Sequence, residues 1–66
     1  MKNTIKIARA FKNITQEDLA KEIGVSRQTI NAMEAGKYVP STVLALKIAK
    51  YFGKKVEEIF ELEDND

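Results

Sequence analysis

The sequence of 66 residues contains no cysteine and no histidine. Disulfide bonds are therefore excluded, the usual structural zinc sites lack their ligands, and the most common catalytic base is missing. No apolar run approaches the roughly 18 residues of a membrane-spanning helix, and the N-terminus has no signal-peptide profile. We therefore expect a single domain over residues 1–66, cytoplasmic, with no membrane partner, no metal and no cofactor.

Charge is distributed unevenly along the chain, although the formal net charge is only +1. The last ten residues, "EEIFELEDND", hold six acidic residues and no basic one, whereas residues 1–56 hold eleven basic and four acidic residues, a balance of +7. A basic body of this kind suits a polyanion, with the acidic end kept away from it. The same distribution is equally typical of solvated surface, so charge alone does not decide between the two interpretations.

Residues that begin and end helices recur along the chain. Asn3 or Thr4 can cap a first helix, and Thr15, Ser26 and Ser41 are of the type that caps later ones. Three glycines follow apolar periodic segments and can adopt the left-handed conformation that ends a helix: Gly24, Gly36 and Gly53. The predicted helices span residues 4–13, 16–23, 27–35, 42–52 and 56–60, followed by an acidic tail, 61–66.

Apolar side chains repeat at helical spacing within these segments. In the first helix, Ile7, Phe11 and Ile14 are spaced along one face, and the clearest stripe belongs to the fourth helix. None of the helices is long enough to be stable alone, so each depends on a shared core. The pattern predicts an all-α fold, a compact bundle of four to five short helices. Apolar and acidic residues alternate over residues 60–63, as they do in a strand, so a short C-terminal β-strand is an alternative there.

The second and third helices are joined by only three residues, 24–26. A turn this short forces the two helices to cross sharply, which requires a small residue on the first helix, glycine at the turn and an apolar residue on the second. Ala20, Gly24 and Ile30 meet these requirements, and Met33 extends the inner face. Together they predict a helix-turn-helix at the centre of the bundle.

Residues 4–60 resemble the lambda-repressor-like, or Cro/repressor-type, helix-turn-helix family. The stretches that carry the resemblance are "ITQEDLAKEIGVSRQTINAMEAGKYVPS" and "ALKIAKYFGKKVEEIF". The resemblance implies a transcriptional regulator that binds double-stranded DNA sequence-specifically and places the helix 27–35 in the major groove. Repression is the favoured outcome, and activation stays open.

The resemblance implies that the first residues of the third helix face base edges. Here these are Arg27 and Gln28, with Thr29 and Asn31 nearby. The chemistry agrees, because arginine can donate two hydrogen bonds to guanine and glutamine can both donate to and accept from adenine. An alternative role for Gln28 is to brace Gln16.

Phosphate contacts are expected at two places. The N-terminus of the second helix, at Thr15 and Gln16, presents free backbone N–H groups, which suit an anion. Lys37 and Tyr38 occupy family phosphate-contact positions in the loop after the third helix, although Tyr38 could instead pack on the following proline. Ser26 is a further candidate, for which capping is the favoured interpretation.

The resemblance also implies an ion pair between the first and third helices, formed by Arg9 and Glu34. Such a pair would tie Arg9 down and keep it from meeting DNA.

Relatives dimerise, so we expect a homodimer bound to an operator with an inverted repeat. Ile59, Phe60 and Leu62 are the candidate interface, because they are more apolar surface than a bundle of this size can readily cover. Their acidic neighbours would be repelled by phosphate and would keep this end away from DNA.

Two other classes of function remain as alternatives. A protein-interaction module of the same fold, such as an antitoxin or an adaptor, is compatible with DNA binding. An enzyme is disfavoured, because the chain has no glycine-rich phosphate loop and no pair of carboxylates on opposing elements, while Ser26 and Ser41 are explained as caps. No small-molecule effector is predicted, although one bound between subunits stays open.

Overall fold

Five helices and one pair of short strands make up the computed structural model, which describes residues 1–66. In chain order the elements are β1 (Lys2–Asn3), α1 (Ile5–Lys12), α2 (Gln16–Ile23), α3 (Arg27–Glu34), α4 (Thr42–Phe52), α5 (Val56–Ile59) and β2 (Phe60–Glu61). The predicted mainly helical fold is confirmed, and each helix begins and ends within one residue of its predicted limits. No helix combines the length and the apolar character that a membrane crossing requires.

Local hydrogen bonds explain why three helices begin where they do. The hydroxyl oxygens of Thr15, Ser26 and Ser41 each accept a hydrogen bond from the amide three residues further on. At Thr15 the bond is reciprocated, because the Asp18 carboxylate accepts from the Thr15 amide at 3.0 Å. This reciprocal pair is a capping box, and it satisfies amides that the first helical turn would otherwise leave unpaired.

The core draws on every helix. Its fully buried large side chains are Ile5, Leu19, Ile30, Met33, Ile48 and Ile59. Burying one side chain of this size contributes about 1.5–3 kcal/mol, so the bundle depends on all five helices at once. The core contains no polar or charged residue, so the polar groups that could bind a partner all lie outside it.

The inner face of α1 differs from the predicted one. Ile5 and Ala8 are buried, whereas Ile7 and Phe11 are 59% and 88% exposed. Ile7 and Phe11 do share a face, being four residues apart, but it is the outer one, and Ile14 packs on the core from beyond the end of the helix. The prediction that the three lie along one face is wrong, because Ile5 and Ala8 already fix which side of α1 meets the bundle.

The two strands tie the ends of the chain together. They are antiparallel, with Lys2 opposite Glu61 and Asn3 opposite Phe60. The C-terminal strand left open by the sequence is present, whereas its partner at the N-terminus was not predicted, since two residues are too few to show a period. The sheet continues into α1 through the Thr4 amide, which donates to the Ile59 carbonyl oxygen at 2.9 Å.

This closure changes the expected dimer surface. Ile59 is 1% exposed and Phe60 is 7% exposed, so both belong to the core of the monomer. The prediction that these two side chains form an uncovered interface is wrong, because strand pairing carries Phe60 back onto the bundle. Leu62 is 76% exposed and remains a candidate for contact with a second copy.

Candidate nucleic-acid interface

The turn between α2 and α3 fixes the crossing of the two helices. The amides of Gly24 and Val25 both donate to the Ala20 carbonyl oxygen, at 2.8 and 3.0 Å, and Ser26 then caps α3. Gly24 has a φ of 85°, and a Cβ there would meet nothing within 4 Å. Glycine is therefore required by the backbone conformation rather than by space. Ile30 is fully buried in the core, which leaves the opposite side of α3 uncovered.

The exposed side of α3 carries three of the predicted base-contacting residues. Arg27, Gln28 and Asn31 are all exposed. Thr29 is half-buried, and its hydroxyl lies 2.9 Å from that of Ser26, whose oxygen also accepts from the Thr29 amide. The hydroxyls of Thr29 and Ser26 are thus engaged with each other at the start of the helix, which agrees with capping as the favoured role of Ser26.

Arg9 and Glu34 form a two-point ion pair between α1 and α3. The Arg9 Nε donates to Glu34 Oε2 at 2.6 Å and Nη2 donates to Oε1 at 3.0 Å. A third guanidinium nitrogen, Nη1, donates to the Ile14 carbonyl oxygen at 3.0 Å. The side chains are only 15% and 7% exposed. Arg9 is therefore occupied inside the protein, and it holds the C-terminal end of α3 against α1.

The environment keeps both members of this pair charged. Burial on its own raises the pKa of Glu34, but the hydrogen bonds from Arg9 and Gln16 outweigh it, so the pKa of Glu34 lies below its ordinary value. The hydrogen bond to Glu34 raises the pKa of Arg9. A carboxylate that is more than nine-tenths covered thus remains an acceptor at neutral pH.

Gln16 extends the ion pair toward the exposed side of α3. Its Nε2 donates to Glu34 Oε1 at 3.2 Å and to Asn31 Oδ1 at 3.3 Å. The alternative role of Gln28 as a brace for Gln16 is not realised, because Gln28 lies nearly a turn closer to the start of α3. The link from Gln16 to Asn31 was missed from the sequence, although the spacing of Asn31 and Glu34, three residues apart on one helix, could have indicated it.

The start of α2 offers fewer free amides than predicted. The Thr15 amide is not free, because it donates to Asp18 and lowers the pKa of that carboxyl. The expectation of a free Thr15 amide is therefore wrong, for the capping box consumes it. The Gln16 amide, at the first helical position, has no intrahelical partner.

The loop after α3 presents the other predicted phosphate contacts. Lys37 is exposed, and its amide donates to the Ala32 carbonyl oxygen at 2.9 Å, which fixes the backbone just beyond the helix. Tyr38 is 44% exposed. Both side chains therefore lie on the surface at the C-terminal end of α3, while Gln16 lies at the start of α2.

Two short helices crossing at a three-residue turn, with a polar and exposed outer face on the second, define a helix-turn-helix domain. A family profile described as Helix-turn-helix matches residues 5–59. The chain belongs to this family, in its Cro/C1-type branch of DNA-binding transcriptional regulators, and the resemblance stated from the sequence is confirmed.

The chain is similar to proteins that are named as transcriptional regulators. An uncharacterized HTH-type transcriptional regulator of Methanocaldococcus jannaschii is 64% identical over 66 residues, which is the whole of both chains. The HTH-type transcriptional regulator YgzD of Bacillus subtilis is 50% identical, again over the whole of both chains. The HTH-type transcriptional activator BcrR of Enterococcus faecalis is 38% identical over 56 residues, which are 85% of this chain and 28% of BcrR. These relatives are regulators rather than enzymes.

Proposed function

We propose that the protein is a transcriptional repressor that reads a palindromic operator in the cytoplasm, with α3 in the major groove. The observation that carries this proposal is the exposure of Arg27, Gln28 and Asn31 together on a helix whose other end is anchored by a partly buried ion pair. A rigid helix with clustered donors and acceptors suits base recognition, because base edges demand fixed geometry. In this proposal Arg27 contacts guanine and Gln28 contacts adenine.

Phosphate contacts set the register of α3 in the groove. The Gln16 amide meets one phosphate from the start of α2, and Lys37 and the Tyr38 hydroxyl meet another from the loop after α3. These groups lie at two ends of the helix pair, so they fix its position along the duplex. They carry no base information themselves.

Arg27→Ala is expected to weaken binding to the selected operator by about 1–3 kcal/mol and to relax the preference at one base pair in each half-site. The cause is the loss of a two-point contact to guanine. Operators are first selected from random double-stranded DNA, and the affinities of variant and wild type are then compared on the operator and on unrelated DNA. Equal losses on both would show that Arg27 contacts phosphate only.

Lys37→Ala is the matched control, because it also removes one exposed positive charge. It should weaken binding similarly on all sequences and make the slope of log affinity against log salt shallower by about one unit. A loss confined to one base pair, with an unchanged slope, would contradict the phosphate assignment.

One copy of α3 spans too few base pairs for useful specificity, so the proposal includes a two-fold symmetric homodimer. Its two α3 helices would enter successive major grooves about 34 Å apart, on half-sites centred about 10 base pairs apart. Exposed apolar side chains are available for this contact, since Leu62 is 76% exposed and Leu46 is 55% exposed. Pro40, Leu46 and Val56 also line a groove beside Phe60.

Sedimentation equilibrium at micromolar concentration is expected to give a dimer, and Leu46→Glu is expected to raise its dissociation constant about tenfold or more. Phe11→Glu is the matched control, because Phe11 is equally apolar and 88% exposed on α1. Dissociation by Phe11→Glu and not by Leu46→Glu would move the interface to α1. A monomer in solution and one monomer per operator would refute the dimer.

Repression by occlusion requires only that the operator overlap a promoter, so occupancy of DNA by this domain is sufficient. Expression of the protein is expected to lower transcription of a reporter whose promoter contains the selected operator, and Arg27→Ala should restore it. A rise in transcription would instead assign the activator role that the name of BcrR gives to that relative.

A further inference from the structure

We infer that Asn31 is held with its amide oxygen turned toward Gln16, so that its NH₂ group is the part of the amide presented to the DNA, and that Gln16 and Glu34 are the positioning residues responsible. The inference rests on the proposed function, because it takes α3 to lie in the major groove. It adds a specificity: the base contacted by Asn31 is selected for acceptors, which favours guanine over adenine.

The orientation of the Asn31 amide follows from two charged groups, each of which can form hydrogen bonds in only one direction. The Arg9 guanidinium can only donate, and the ionised Glu34 carboxylate can only accept. The Gln16 atom 3.2 Å from Glu34 Oε1 must therefore be the amide nitrogen. That same nitrogen lies 3.3 Å from the Asn31 head group, so the facing Asn31 atom must be its oxygen. The orientations of both amides thus follow from the charge on Glu34 rather than from a choice between similar atoms.

Asn31 lies on α3 between the partly buried Glu34 and the exposed Arg27. Arg27, Asn31 and Glu34 are spaced by four and then three residues, so they follow one side of the helix from its exposed start to its covered end. Asn31 is exposed while its oxygen is engaged by Gln16. The NH₂ group is therefore the part of the Asn31 head group that is left for an outside partner.

Adenine and guanine present different hydrogen-bonding groups to an asparagine side chain. An unconstrained asparagine pairs with adenine at two points, donating to N7 and accepting from the N6 amino group. Because Gln16 holds the Asn31 oxygen on its own side of the amide, the second of these contacts is weakened. Guanine instead offers two acceptors, O6 and N7, which match an asparagine that presents its NH₂ group.

Selection from random double-stranded DNA tests the inference with the wild type, three single variants and one double variant. Asn31→Ala identifies the base pair that Asn31 contacts, because preference there alone should be lost. In the wild type, guanine should exceed adenine at that position by about tenfold. Gln16→Ala frees the Asn31 oxygen and should reduce this ratio by about fivefold or more, while preferences at the other positions persist.

Glu34→Gln separates positioning from phosphate contact. It leaves the Gln16 side chain in place but removes the acceptor-only group that orients it, so the same base ratio should fall although every side chain at the start of α2 is unchanged. Circular dichroism sets a temperature at which each variant is folded. Gln16→Ala leaves the ion pair of Arg9 and Glu34 in place, so it decides the matter even where Glu34→Gln is unstable.

The control is Gln16→Ala in the Asn31→Ala background, which should change no base ratio, because the side chain that Gln16 orients is absent. An unchanged guanine-to-adenine ratio in folded Gln16→Ala would overturn the inference, as would an Asn31→Ala variant with no base-specific loss. If the wild type enriches no sequence at all, the proposed function itself fails, and this result is distinguishable from the other two.

Discussion

Glu34→Ala is expected to lower the free energy of unfolding by about 3 kcal/mol, because it leaves a covered arginine without its carboxylate. Arg9 is 15% exposed and makes two of its three side-chain hydrogen bonds to Glu34. The Gln16 side chain loses one of its two acceptors at the same time. Urea denaturation followed by circular dichroism measures the change. The loss should be large for a domain of 66 residues, whose single core supplies only a few kcal/mol of net stability.

A double-mutant cycle with Arg9→Ala isolates the pair. The loss in Arg9→Ala/Glu34→Ala should be smaller than the sum of the single losses, because the second change removes the charge that the first one stranded. Strictly additive losses would mean that the two side chains stabilise α1 and α3 independently, which would contradict the pairing.

The same carboxylate makes stability depend on pH. Because the pKa of Glu34 is lower in the folded protein than in the unfolded chain, its contribution is fully present above the unfolded value, about 4.5. The contribution is lost as the pH falls through the lower pKa of the folded state. Glu34→Gln should therefore be less stable than the wild type at neutral pH, and the difference should shrink in acid.

The parts of the fold that sequence predicted well depend on neighbours along the chain. Thr15, Ser26 and Ser41 each cap a helix through an amide three residues away, so their role is local. Gly24 ends α2 because its own backbone is left-handed. The helix-turn-helix followed from the same kind of information, since its turn is three residues long.

The parts that were missed depend on which surfaces meet in the folded protein. Nothing local distinguishes Ile7 from Ile5, yet one is 59% exposed and the other is fully buried. Several residues of α3 could have contacted Gln16. The crossing of α2 and α3 brings Asn31 and Glu34 to it, and the sequence does not specify that crossing in such detail. The N-terminal strand exists only because β2 lies beside it.

Phe60→Ala is expected to lower the free energy of unfolding by about 3–5 kcal/mol, as truncation of a buried phenylalanine usually does. Phe60 is 7% exposed, and its amide ends α5 by donating to the Val56 carbonyl oxygen. The substitution keeps this backbone bond and the pairing with β1, so the loss reports the side chain alone. Thermal unfolding at two protein concentrations measures it, because a core residue lowers the midpoint equally at both.

Leu62→Ala is the matched control, two residues further along the chain and 76% exposed. Its effect on the unfolding of the monomer should be within about 0.5 kcal/mol. Should Leu62 lie in the dimer interface, its substitution lowers the unfolding midpoint more at low concentration than at high, since dissociation then precedes unfolding. A Phe60→Ala variant that keeps the stability of the monomer and only dissociates the dimer would restore Phe60 to the interface and contradict its place in the core.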